Sequence, residues 1–381
     1  MFFKKTKLEK LADFGQSIWL DSIDRAMLKN GKLKDLIKQG LCGLTSNPTI
    51  FEQAIGKHNE YDNQIVELKN QGKSTFEIYD ELTTTDIRDA ADLFEGLYEK
   101  TKGEDGFVSL EINPQLGRKV DEQIKEGLRL FEKVNRPNLM IKVPATREGL
   151  KVAQELIAQG VNVNITLIFS YEQYCETIGA YLNGLKRRLQ EKLDISHIRS
   201  VASVFISRVD TLVDKIIEDK IALETSQTKL DRMRVLLGTA AVSNTRIIYQ
   251  KFLHVFSGKE FTEFSKRGAN LQRPLWGSTS TKNPNYSDIK YVKEFIAKYT
   301  VNTVPEKTLQ AFLDHGEIKE AFARFPEGAA KENIYHLEDL TGVKIKDICE
   351  RLLNEGLGAF EKSFVFLLET IEKKAGQLSV A

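Results

Sequence analysis

LMIKVPAT, residues 139–146, is a strand-length run of apolar and β-branched residues, and up to Pro144 its only charge is Lys142. An ammonium ion facing inward from such a strand is costly unless it is paired or loses its proton. A neutral amine is a nucleophile, and buried lysines of this kind form Schiff bases with carbonyl substrates. The bland alternative is a strand end with its amine in solvent and its stem on apolar surface. The segments on either side decide between the two.

Working outward, short β-branched runs alternate with longer amphipathic ones. Eight strand candidates cover residues 18–23, 41–45, 107–112, 139–143, 161–169, 198–206, 274–279 and 301–304. Helical patterns lie between them at residues 31–39, 119–133, 148–159 and 171–193, with a long pair over 211–256. Strands separated by helices in this way predict an α/β fold, a (β/α)8 TIM barrel whose functional groups gather where strands meet the following loops. Two stretches exceed a minimal barrel. Residues 48–106 have room for two or three helices, and the chain beyond about 306 reads as helical, ending in the amphipathic run LLNEGLGAFEKSFVFLLETIEKKAG. That run is expected to pack on the core rather than act as a lid. No Pro/Gly/Ser-rich linker or repeat divides the chain, so residues 1–381 are expected to form one elaborated barrel domain with a helical insertion and a helical C-terminal extension.

Composition narrows the function. With 55 basic and 54 acidic side chains the net charge is +1, which gives no general field for nucleic acid or a membrane surface. No run approaches the roughly 18 apolar residues of a spanning helix, and the start, MFFKKTKLEK, lacks the apolar core of a secretory signal. Three separated cysteines, Cys42, Cys175 and Cys349, lack metal-ligand spacing and suit a reducing cytosol, so a cytoplasmic location is expected. The five histidines form no ligand pair, and no phosphate-loop or dinucleotide pattern occurs. No metal and no cofactor are expected; small molecules are the expected partners, with a monomer and a homodimer both open.

On the barrel reading, polar residues at strand ends converge on one mouth. Asp21 ends the first strand; Thr45, Ser46 and Asn47 end the second; Glu111 ends the third, and Lys142 sits on the fourth. Asn164 and Thr166 on the fifth are spaced by two and share a face. Ser203 lies on the sixth with Arg208 just beyond, and the seventh runs into STSTK, ending at Lys282. Taken singly, several of these have ordinary readings: Asp21 as a helix N-cap, Asn47 before Pro48 as a turn, Glu111 before Asn-Pro as a strand end turning outward. Phe205 shares a face with Ser203 and is placed near the mouth.

Six segments in order, LTSNPTIF from residue 44, SLEI from 109, IKVPAT from 141, NVNITLIFS from 162, SVFISR from 203 and WGSTSTKNP from 276, resemble the transaldolase family over about residues 18–285. The resemblance implies cofactor-free transfer of a dihydroxyacetone unit between sugar phosphates. It further implies that Lys142 is the Schiff-base lysine, that Asp21 takes the C4 hydroxyl proton, and that Glu111 works through a water held with Thr166. Asn47, Asn164 and Ser203 would hydrogen-bond the three-carbon fragment, and Arg208 would bind phosphate. Ser280 and Lys282 fall where many members carry serine and arginine, so Lys282 departs from that pattern. The implied reaction exchanges sedoheptulose 7-phosphate and glyceraldehyde 3-phosphate with erythrose 4-phosphate and fructose 6-phosphate, in the non-oxidative pentose phosphate pathway. Rival readings are a fructose 6-phosphate aldolase, which would release free dihydroxyacetone, and a non-catalytic barrel that binds sugar phosphates.

Overall fold

The computed structural model describes residues 5–322 and 327–378. Eight strands, β1 (Gln16–Leu20), β2 (Gly43–Thr45), β3 (Phe107–Glu111), β4 (Leu139–Pro144), β5 (Val163–Ile168), β6 (Ser200–Phe205), β7 (Gln272–Gly277) and β8 (Thr300–Val304), close into one parallel barrel in chain order. The closing pair runs in register from Gln16 opposite Thr300 to Leu20 opposite Val304. Every strand expected from the sequence is present. β1 and β7 begin two residues earlier than their apolar patterns, at Gln16 and Gln272, because each amide N–H is paired on the outer face of the barrel: Gln16 Nε2 donates to the Phe295 carbonyl (2.6 Å) and Gln272 Nε2 to Ser200 Oγ (3.0 Å). Hydrogen bonding lets a polar residue join a buried strand.

The helical pair expected over 211–256 is three helices, Ser207–Ile221, Gln227–Leu236 and Ala240–Phe256. The second break is at Gly238, whose φ of +69° suits glycine and whose N–H donates to Asp214 Oδ1 at 2.7 Å. A Cβ there would lie 2.9 Å from the Tyr286 ring.

Side chains fill the lower barrel. Trp19, Phe107, Met140, Val201, Leu275 and Val301 pack as a cluster, and Gly43 is required because a Cβ would stand 2.6 Å from the Trp19 ring. Beneath them Arg273 bridges Asp105 (3.0 Å) and Ser17 (2.6 Å), stoppering the amino-terminal end. Above the apolar layer, the other inward-facing polar side chains lie at the carboxyl-terminal mouth, where this architecture places function.

Between β2 and β3 lie helices Pro48–Lys57, Asp62–Asn70 and Thr75–Lys100. Asn47 caps the first, accepting from the Ile50 N–H at 3.0 Å, with Pro48 pre-set at the first helical position. The long helix is pinned to the loop after β1 by Asp86, which takes the Arg25 guanidinium on one oxygen (2.8 Å) and the Tyr61 hydroxyl on the other (2.7 Å). Burial pushes the Asp86 carboxyl up to about 6, and Arg25 opposes that rise. The C-terminal helix Ile345–Leu378 returns across these helices: Phe364 meets Tyr79 edge to face at 5.1 Å, and Lys374 pairs with Asp62 at 2.7 Å. It packs on the core as expected from its pattern, yet its middle also reaches the mouth. Among the described residues no helix is long and apolar enough to cross a membrane.

Removing one member of a buried ion pair strands the other charge. Asp86→Ala is expected to cost about 3–5 kcal/mol of unfolding free energy, read from the urea midpoint at constant m-value.

Candidate active site

Lys142 is 4 % exposed and lies two residues before the end of β4, in register with Glu111 on β3 and Asn164 on β5. Registered residues of a parallel sheet share a face, so three candidate side chains enter one layer. The Lys142 amine donates to the Ser46 carbonyl (3.1 Å), stands 3.6 Å from Glu111 Oε2, and lies 5.6 Å from the centre of the Phe360 ring. The ordinary reading, an amine in solvent, is excluded by this burial.

Glu111 also contradicts its bland reading. It does not turn outward but is buried, and Oε2 has no hydrogen-bond partner. Burial raises its pKa, partly offset by the nearby Lys142. Asp21, half-buried at the end of β1, is likewise raised by burial, with Lys142, the Thr45 hydroxyl and Lys282 pulling it back. It caps no helix; Asp24 takes that place for Arg25–Lys29. Two carboxyls therefore face one amine from different strands, both raised from their ordinary values by burial.

Two short chains of hydrogen bonds fix the surrounding groups. Thr45 donates to Asp21 Oδ1 at 2.7 Å; its single proton is thus committed, so Thr303 of β8 is the donor in the 2.7 Å contact between the two hydroxyls. Across the barrel, Ser203 donates to Asn164 Oδ1 (2.6 Å), and Asn164 Nδ2 donates to Ser109 Oγ (3.1 Å). That orients the Asn164 amide with one N–H left for another acceptor. Thr166 is wholly buried and its hydroxyl has no partner. Next to it, Leu167 adopts φ +58°, and the β5–β6 register shifts between Ile165 and Ile168. A left-handed leucine at a bulge stores strain of about 1–3 kcal/mol, a feature that clusters at functional sites.

These side chains line a chamber of about 370 Å3 at the mouth, which holds Asp21, Asn47, Lys142, Thr166, Ser203, Arg208, Ser280 and Lys282 together. Arg208 and Lys282 lie at its outer end without a carboxylate in ion-pair range among the described residues; Lys282 donates to Ser280 Oγ at 2.7 Å. The strand-end residues that deliver Ser280 and Lys282 are held by the Ser207 N–H, which donates to the carbonyl of Ser278 (3.1 Å), itself at φ +54°. Phe205 lines the chamber as expected and packs on Phe169 at 5.5 Å. Among the described residues no group of three or more His, Cys, Asp or Glu is placed to hold a metal ion. Cys42 and Cys349 are buried and Cys175 is half-buried.

Three participants escape a reading of the sequence. Ser109 could have been found, since it precedes Glu111 by two and shares its face. Thr303 sits in an unremarkable run, VNTVP. Phe360 carries no local signal; only the return of the C-terminal helix brings it to Lys142.

Residues 18–371 match the family model described as transaldolase/fructose-6-phosphate aldolase. The chain is 40% identical to the transaldolase of Trichodesmium erythraeum over 98% of both chains, and 42% identical to that of Saccharopolyspora erythraea, again over 98% of each. It is 43% identical to the transaldolase of Thermobifida fusca over 96% of its own length and 98% of the relative's. An eight-stranded parallel barrel with a buried lysine between two carboxyls, and similarity to transaldolases along almost its whole length, place this chain in the transaldolase/fructose-6-phosphate aldolase family.

Proposed function

We propose that this transaldolase transfers a dihydroxyacetone unit through an imine on Lys142, and that the residues of the mouth divide the work as follows. The observation that carries the reading is the burial of Lys142 with Glu111 Oε2 at 3.6 Å and no hydrogen-bond acceptor but the Ser46 carbonyl among the described residues. The amine adds to C2 of sedoheptulose 7-phosphate or fructose 6-phosphate, and the carbonyl oxygen leaves as water. The resulting iminium is an electron sink. Asp21 takes the proton of the C4 hydroxyl, the C3–C4 bond breaks, its electron pair moves towards the iminium nitrogen, and an aldose phosphate departs.

Asn47, Asn164 and Ser203 hold the three-carbon enamine until a second aldose phosphate arrives and the bond re-forms in reverse. Holding reactants in register supplies a large share of such a barrier. Glu111 and Thr166, each with a buried oxygen lacking a protein partner, suit a shared water for making and hydrolysing the imine. Arg208 and Lys282 receive the phosphate; the planar fork of arginine grips it in two places where lysine offers a point charge. The exchange of sedoheptulose 7-phosphate and glyceraldehyde 3-phosphate for erythrose 4-phosphate and fructose 6-phosphate belongs to the non-oxidative pentose phosphate pathway. The helical insertion and C-terminal extension belong, on this reading, to the same domain as the barrel, because the C-terminal helix completes its mouth.

Borohydride added with fructose 6-phosphate should leave a reduced three-carbon adduct on the peptide bearing Lys142, absent from Lys142→Ala; a folded, sugar-binding enzyme without adduct would refute the imine. Asp21→Asn should lower kcat by roughly 10^2–10^4-fold and shift the trapped species on Lys142 from the three-carbon adduct to the uncleaved six-carbon one, since it acts after imine formation. Arg208→Ala is expected to raise KM for fructose 6-phosphate more than Lys282→Ala does, measured side by side.

The pH dependence follows from the raised carboxyl pKa values of Asp21 and Glu111. A protonated carboxyl accepts no proton, so kcat/KM should fall on the acid side with a limb above the ordinary carboxylate value of about 4. Glu111→Gln removes one of the two ionisations and should make that limb shallower, by one proton in its slope.

A further inference from the structure

A second chamber of about 810 Å3 adjoins the site on the β3–β5 side of the mouth. Exposed Gln115, Arg118 and Arg147 form its outer edge, so it is open to bulk water. Glu111 lines this larger chamber, Lys142 lines the smaller one, and Phe360 lines both. The partition is therefore the Phe360 ring together with the Lys142–Glu111 pair. Phe360 is 8 % exposed, on the C-terminal helix, and that helix is seated closely here: a Cβ at Gly356 would lie 3.1 Å from Leu167 Cδ2, the leucine held at φ +58°.

We infer that Phe360 is a specificity-determining wall, which limits the access of water from the larger chamber to the imine carbon and so favours transfer over hydrolysis. The inference rests on the imine at Lys142 proposed above. Its geometry follows from the barrel order. Strand β3, with Glu111, lies opposite β7, whose following loop carries Lys282. A sugar whose phosphate reaches Arg208 and Lys282 therefore turns its C2 end towards Glu111. Water arriving past Lys282 meets the aldose end, while water from the larger chamber meets C2 beside the carboxyl able to activate it.

Hydrolysis of the held intermediate consumes one water. The enamine takes a proton at C3 and becomes an iminium; water adds at C2 and returns a proton to solvent. The C2–N bond then breaks, its electron pair staying with nitrogen, which takes up a proton as the C2 hydroxyl gives one up; this restores the amine of Lys142 and frees dihydroxyacetone. A phenyl ring beside the nitrogen offers no hydrogen bond to an entering water and fills the space it would cross. Excluding water from a reactive intermediate is an established way in which closed sites prevent side reactions.

The test compares wild type, Phe360→Ala and Phe360→Leu with fructose 6-phosphate, measuring free dihydroxyacetone with and without erythrose 4-phosphate, and borohydride trapping in parallel. Phe360→Ala is expected to release dihydroxyacetone roughly tenfold faster relative to transfer, Phe360→Leu to fall between, and all three to trap the adduct at Lys142. A general loosening of the fold would depress transfer and release together and leave their ratio where it was. An unchanged ratio in a folded Phe360→Ala that still traps the adduct overturns the wall. If Phe360→Ala does not fold, an unchanged ratio in Phe360→Leu does the same. Absence of the adduct from the wild type would instead overturn the imine itself, so the two failures are distinguishable.

Discussion

The structure of the mouth depends on one electrostatic constraint, an amine and two carboxyls that share a space from which most water has been removed. Ionised groups taken out of water lose more hydration than a single contact restores, so such a cluster persists only where the scaffold holds it. Here the scaffold is the register of the barrel. Glu111, Lys142 and Asn164 stand level on consecutive strands, and the hydrogen bonds of the sheet set their spacing. Raised pKa values for both carboxyls are the visible cost of that placement, and the same shift brings them nearer to the range in which a proton is readily exchanged.

Around this cluster the polar groups divide into two kinds. Thr45 bonds to Asp21 and Thr303, and the Asn164 amide bonds to Ser203 through its oxygen and to Ser109 through its nitrogen, so these groups hold orientation. Glu111 Oε2 and the Thr166 hydroxyl are buried without protein partners. Structural polar groups in a core are normally satisfied, so an unsatisfied pair at the centre of a site points to a water or substrate atom that completes it. The same division appears in the backbone, where Leu167 and Ser278 take left-handed angles beside residues of the chamber while most of the barrel strands stay regular.

What the sequence revealed follows the range of the interactions involved. Strand positions were legible because alternation and β-branching act within a few residues, and the barrel follows from their order. Asp21, Glu111 and Lys142 were legible as strand-end residues for the same reason. The starts of β1 and β7 were missed because Gln16 and Gln272 become core residues only through partners at Phe295 and Ser200. Three helices replaced two in residues 207–256 because Gly238 is fixed by Asp214, a contact that spans a whole intervening helix and is invisible to periodicity. Phe360 lay furthest out of reach. Its place beside Lys142 requires the last helix to cross back over helices that begin near residue 48.

That return has a mechanical consequence. The barrel strands hold the amine and carboxyls rigidly, each bonded to neighbours on both sides, whereas Phe360 is carried by a helix outside the sheet, whose polar attachments lie mostly on the helices between β2 and β3. Those attachments are specific: Lys374 to Asp62 and to the Ile55 carbonyl, Thr49 to Ser363 at 2.8 Å, and Phe364 against Tyr79. Thr49 belongs to the same helix that Asn47 caps, so the element that carries Asn47 into the chamber and the element that carries Phe360 beside Lys142 are tied together by one hydroxyl contact. Any displacement of the C-terminal helix is thereby shared with the helix at Pro48. Asn47 and the Phe360 ring thus form one mechanical unit on the β2–β3 side, set against Arg208 and Lys282 on the segments that follow β6 and β7.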